Sequence, residues 1–101
     1  MQNFIQNFYR RLARVIATTQ HPPEVTAGHF GLTTGELLDL FKDDQFLAEL
    51  HAAAAALVIF VESKTGEPIE GVDAGDRWVR AKIEWRKIPK WERDPEGWIL
   101  P

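Results

Sequence analysis

"AGHFGLTTGELLDLF", Ala27 to Phe41, is the stretch on which the fold turns. It predicts two short helices joined by a tight corner. Helices that cross steeply need a small residue where their backbones approach, and Ala27 supplies one. Gly31, four residues on, tolerates the positive φ that such a corner demands. Leu32 plugs the angle between the helices. Thr33 caps the second helix, and Glu36 three residues later completes a capping box. Leu37, Leu40 and Phe41 then share one helical face.

Upstream, Asn3 to Gln20 predicts a helix with Asn3 as a cap and Phe4, Ile5, Phe8, Leu12, Val15 and Ile16 at three- and four-residue steps. Arg10, Arg11 and Arg14 lie off that stripe. His21-Pro22-Pro23 ends the helix, and Pro22 or Pro23 opens the next one at its first turn. That second helix stops at Phe30 or Gly31, and a third runs from Thr34 to about Lys42.

Downstream, Asp43 or Asp44 caps a fourth helix from Gln45 to about Ser63, which Gly66 closes. Phe46, Leu50, Ala54, Leu57 and Val61 form its stripe, widened by Leu47 and Val58. Ala48, Ala52, Ala55 and Ala56 offer close approach to another backbone, either within the chain or in a second copy. A helix apolar on most sides must be buried by something. Lys64 to Asp76 reads as the main loop. Arg77 to Ile88 is ambiguous. Val79, Ala81, Ile83 and Trp85 alternate with charged residues as in a strand, whereas Asp76 as a cap and the run of Ala, Arg, Lys and Glu favour a helix. Pro89 to Pro101 reads as an irregular tail carrying Trp91, Trp98, Ile99 and Leu100.

Ala27-x-x-x-Gly31-Leu32-Thr33-x-x-x-Leu37 resembles the helix-turn-helix DNA-binding family. Its continuation, "FKDDQFLAELHAAAA" (Phe41 to Ala55), is similar to the N-terminal region of phage terminase small-subunit proteins. The likeness covers roughly Pro22 to Leu57, about a third of the chain. It implies a phage-type protein that assists DNA recognition or genome packaging.

The whole chain reads as all-α: a helix-turn-helix in a small bundle of about five helices, with a Trp-rich C-terminal arm. Residues 1–66 form the helical core, and residues 67–101 add a loop, a basic Trp-rich segment and a tail to the same domain. If Arg77 to Ile88 is a strand, the alternative is a winged helix with a C-terminal β-hairpin.

With 101 residues the chain is long enough for one small core, and 45% hydrophobic content argues against disorder throughout. The absence of cysteine removes disulfides and thiolate metal sites. Ala52 to Val61, the longest uncharged apolar run, is far short of the roughly 20 residues that span a bilayer. Met1-Gln-Asn-Phe lacks the basic start of a secretory signal. The expectation is a soluble, cytoplasmic protein with no membrane partner.

Net charge is −3, but its distribution matters more. Residues 1–23 carry three arginines and no acid, residues 24–62 carry one base against seven acids, and Arg77 to Arg93 holds seven bases against two acids. Two surfaces therefore compete as binding sites. The first is the second helix of the corner. There Thr33, Thr34 and Lys42 face a major groove and Arg10, Arg11 and Arg14 reach phosphate. Base edges are read best by Arg, Lys, Asn and Gln, and of these only Lys42 is offered, while Asp39, Glu36, Asp43 and Asp44 oppose phosphate.

The second surface is "RWVRAKIEWRKIPKWER", where Arg77, Trp78, Arg80, Trp85, Arg86 and Trp91 suit a docking partner. The same indoles can equally fill a core or stack on single-stranded nucleic acid. The expected partners are double-stranded DNA or another protein, with self-association through the Ala-rich helix as a further route. A protein-binding adaptor, or a phage-encoded regulator or inhibitor that uses the corner only as a scaffold, is the rival to DNA recognition. His21, His29 and His51 match no compact metal motif, and no catalytic constellation stands out. Neither an enzyme nor a cofactor is expected.

Overall fold

The computed structural model describes residues 2–93, with five helices and no strand among them. In chain order they are α1 (Gln2–Thr18), α2 (Pro23–His29), α3 (Thr34–Leu40), α4 (Asp44–Thr65) and α5 (Ala74–Lys87). The chain is therefore all-α, and the winged alternative falls away because Arg77 to Ile88 is helical up to Lys87.

The corner forms by the chemistry its residues imply. Pro23 occupies the first turn of α2, where a missing N–H costs nothing. At the other end Gly31 adopts φ 73°, and two bonds close the turn. Leu32 N donates to Ala27 O at 2.8 Å and Gly31 N to Gly28 O at 3.2 Å. This pair is a Schellman motif, which satisfies carbonyls the helix would otherwise leave orphaned. Thr33 then caps α3 in a complete capping box with Glu36.

Only Gly31 needs its glycine for conformation here. Gly31→Ala is expected to cost about 1–2 kcal/mol, because an alanine strains in the left-handed region. Gly35→Ala, in the first turn of α3 with no neighbouring atom within 4 Å of an added methyl, is expected to be neutral or to stabilise by up to about 1 kcal/mol. Paired urea titrations measure the difference, and equal effects at the two sites would refute this account of the corner.

α4 is the spine. Asp43 caps it, its Oδ1 accepting from Gln45 N at 2.9 Å, and Gly66 closes it at φ 74°. Two hydrophobic clusters divide along its length. Around its first half, Phe46 and Ala53 pack with Leu12, Ala13 and Ala17 of α1 and with Ala27 and Leu37 from the corner. Around its second half, Leu57, Val58, Phe60 and Val61 pack with Ala81, Trp85 and Ile88.

Several expectations are corrected in detail. α1 starts at Gln2, so Asn3 lies inside it, and it ends at Thr18, where the hydroxyls of Thr18 and Thr19 donate to Arg14 O and Val15 O at 2.7 Å. Phe4 and Ile5 are exposed, and the buried face of α1 is shifted to Leu12, Ala13 and Ala17, whose two alanines allow close approach. The cap of α5 is Asp73, not Asp76. Asp73 Oδ1 accepts from Asp76 N at 2.9 Å, so the helix begins three residues earlier than expected. Glu62 ties the intervening loop down, its Oε1 accepting from Arg77 Nη2 at 2.8 Å and from Ile69 N at 3.2 Å.

By length and composition α4, at 22 residues, could cross a bilayer, yet only 28% of its most apolar window is buried within the chain. Trp98, Ile99 and Leu100 of the expected tail lie outside the described residues.

Candidate functional site

Three surfaces carry the residues singled out in the sequence. At the corner, Thr33 Oγ1 accepts from Glu36 N at 3.1 Å, and Glu36 Oε1 accepts from Thr33 N at 2.9 Å. Those bonds occupy the Thr33 side chain as a cap and hold the Glu36 carboxyl below its usual range. Thr34 is exposed. Lys42 is exposed too, with its nearest carboxylate, Asp39 Oδ1, at 3.9 Å. Beside these charges Leu38 is 51% exposed and Phe41 39% exposed. The outward side of α3 is thus acidic and partly apolar.

The α1 arginines differ in their surroundings. Arg10 Nε lies 3.5 Å from Glu49 Oε2 on α4 and serves the helix pairing. Arg14 is half-buried, and its Nε finds no acceptor among the described residues. Arg11 alone points fully to solvent. The spacing placed all three off the apolar stripe. It could not say that the neighbouring helix would bring a glutamate to one of them.

On α5 the six expected docking residues divide by face. Trp85 is 7% exposed and belongs to the core, with the Arg93 guanidinium 4.6 Å from its ring centroid. Arg77 is held by Glu62. Trp78 is half-buried, with the Lys82 ammonium 4.7 Å from its ring centroid. Burial, and then the charge of Arg86, lower the Lys82 amine from its ordinary value. Arg80 and Arg86 face outward, and Trp91 is 79% exposed.

Sequence reasoning missed the residues between them. Val79 is 52% exposed and Ile83 47% exposed, four residues apart on the side of α5 opposite Ala81 and Trp85. The alternation that suggested a strand is resolved by helical geometry: steps of four, not of two, sort these side chains into inward and outward sets. An open groove of about 610 Å³ lies where the start of α5 meets α4, lined by residues that include Ala54, Val58, Ile59, Ala74 and Trp78.

No family model, curated protein or solved structure matches the chain. The surfaces themselves therefore carry the functional argument. Among the described residues no three His, Asp or Glu side chains converge as metal ligands.

One polar contact near the corner makes stability depend on pH. Tyr9 Oη donates to Asp43 Oδ2 at 2.8 Å, across 34 residues of sequence. This bond, with help from the N–H groups of Gln45 and Phe46, holds the Asp43 carboxyl below its usual range, and it raises the Tyr9 phenol. The Arg77 and Ile69 bonds likewise hold Glu62 low. A carboxyl depressed in the folded state contributes stability above its unfolded pKa of about 4, and that contribution is lost as pH falls through the folded value. The chain is expected to lose stability below about pH 4. Tyr9→Phe is expected to flatten that acid limb, as read by urea midpoints across pH. An unchanged limb would show that the Tyr9 bond does not set it.

Proposed function

We propose that the chain is a protein-docking module whose working surface is the outer face of α5. The observation that carries this reading is the interleaving of exposed apolar and unpaired basic side chains there. Val79 and Ile83 are exposed on that face and Trp91 is exposed just beyond the helix end, while Arg80 and Arg86 on the helix and Lys90 after it have no carboxylate within ion-pair distance among the described residues. Exposed apolar side chains rimmed by like charges favour a protein partner with apolar anchors and an acidic rim. Arginine and tryptophan are also the residues that most often dominate binding energy at such contacts.

A second reading keeps the DNA-recognition or genome-packaging role that the terminase likeness implies. The glycine corner with its capped α3 and the exposed Thr34 support it. Glu36 and Asp39 of α3 and Asp44 at the start of α4, all exposed, weigh against it, since they repel phosphate.

A titration with two labelled probes separates the readings. One probe is an acidic amphipathic peptide with leucine and glutamate at helical spacing, and the other is a short DNA duplex. The peptide is expected to bind, to shift the Trp91 emission to shorter wavelength, and to lose about tenfold in affinity with Arg80→Glu plus Arg86→Glu. Duplex binding whose log affinity falls with log salt, with no peptide binding, would establish the DNA reading instead. If neither probe binds, the outer face of α5 is not a docking surface.

A further inference from the structure

We infer that the cavity between the corner and α5 binds a small monocarboxylate with a compact apolar body. The cavity is open to solvent and measures about 190 Å³. It brings together side chains far apart in sequence. Ile16 of α1, Leu37 of α3 and Phe41 just after α3 supply apolar wall. Thr26 of α2, His21 before it and Lys82 of α5 supply polar groups. Small-molecule sites have this make-up, a mostly apolar hollow with a few placed polar side chains. Size limits the guest. A cavity of about 150 Å³ holds a benzene ring, so one ring or a short branched chain fits here.

Two polar side chains identify the guest as an acid. The first is Lys82. Its ammonium lies over the Trp78 ring and has no carboxylate within ion-pair distance among the described residues. None of the described residues lining the cavity is acidic. Burial and the charge of Arg86 both disfavour the cationic form of this amine, and an incoming carboxylate would offset them. The second is Thr26, which is 4% exposed, yet its hydroxyl makes no hydrogen bond among the described residues. The hydroxyls of Thr18 and Thr19, by contrast, are bonded to carbonyls of α1. A buried hydroxyl without an acceptor costs free energy, and a carboxylate oxygen accepts its proton.

Other guests suit the cavity less well. A neutral amide or alcohol could engage Thr26 but would leave Lys82 unmatched. A phosphate dianion would carry a second charge against apolar walls. Val79, Ile83 and Arg80 are not among the residues that line the cavity, so this proposal and the docking proposal stand or fall separately.

Titration of the full chain with benzoate and with isovalerate, followed by amide chemical shifts, tests it. Benzamide and isovaleramide serve as neutral controls. At least one acid is expected to shift the amides of Thr26, Leu37 and Lys82 saturably and to bind about tenfold more tightly than its amide. Lys82→Met keeps the apolar stem over Trp78 and is expected to remove that tenfold advantage while leaving the neutral control unchanged. Thr26→Val keeps the side-chain shape and is expected to weaken the acid severalfold, with circular dichroism confirming the fold of both variants. Absence of saturable shifts with either acid up to its solubility limit would overturn the proposal. So would equal affinity for acid and amide, unchanged acid binding by either variant, or shifts centred on Val79 and Ile83 instead of the cavity.

Discussion

Phe46→Ala is expected to lower folding stability by about 3–5 kcal/mol. The side chain is fully buried at the first turn of α4. It meets two rings from elsewhere in the chain in T-shaped contacts: Tyr9 of α1 and Phe41 after α3 each lie 5.6 Å away at 84°. Truncation therefore removes the ring's own burial, leaves a cavity, and withdraws the partner from two edge-to-face contacts. It also loosens the wall against which Tyr9 is held for its bond to Asp43. Small domains have only about 5–15 kcal/mol in hand, so the variant should be close to unfolded at physiological temperature. Urea denaturation followed by circular dichroism measures the loss. Phe46→Leu, which keeps most of the volume, is expected to cost much less, about 1 kcal/mol. A loss below about 1 kcal/mol for the alanine variant would mean that α1, the corner and α4 do not meet in a closed core.

Trp85→Ala is expected to cost a similar amount, about 3–5 kcal/mol, but to act on a different part of the chain. Trp85 belongs to the cluster around the second half of α4, with Ala81, Ile88 and Val61, whereas Phe46 belongs to the cluster around the first half. The two clusters share α4. Loss of Trp85 should therefore release α5 and the loop held by Glu62 before it disturbs the corner. Hydrogen exchange is expected to quicken along Ala74–Lys87 while the amides of α1 stay protected, and binding of the acidic peptide should disappear with the α5 surface. Trp85→Phe is expected to be tolerated better, since the buried indole N–H has no acceptor among the described residues to lose. Uniform acceleration across all five helices would instead show that the two clusters melt as one.

Much of this structure is legible in the sequence, and the legible parts share a cause. Thr33 with Glu36, Asp43 before Gln45, Pro23 at a first turn, and Gly31 and Gly66 at positive φ all act within four or five residues of themselves. Local hydrogen bonding and backbone sterics determine them, whatever the rest of the chain does. The same locality explains why α5 is helical where the pattern was divided. The capping carboxylate of Asp73 and a run of good helix formers favour the helix, and no described segment offers a strand to pair with.

What locality cannot determine is which side of a helix another element will cover. Arg10 and Arg14 look alike along α1 and both end half-buried, yet Glu49 engages Arg10 while Arg14 Nε finds no acceptor among the described residues. Trp78, Trp85 and Trp91 are equivalent in a list, yet α4 takes Trp85 into the core, half-covers Trp78 and never reaches Trp91. Val79 and Ile83 became a surface for the same reason. The sequence by itself determined the helices, their caps and the corner, because those depend on neighbours a few residues away. Only the tertiary structure decided the sites, because burial depends on partners up to tens of residues distant, brought together by packing.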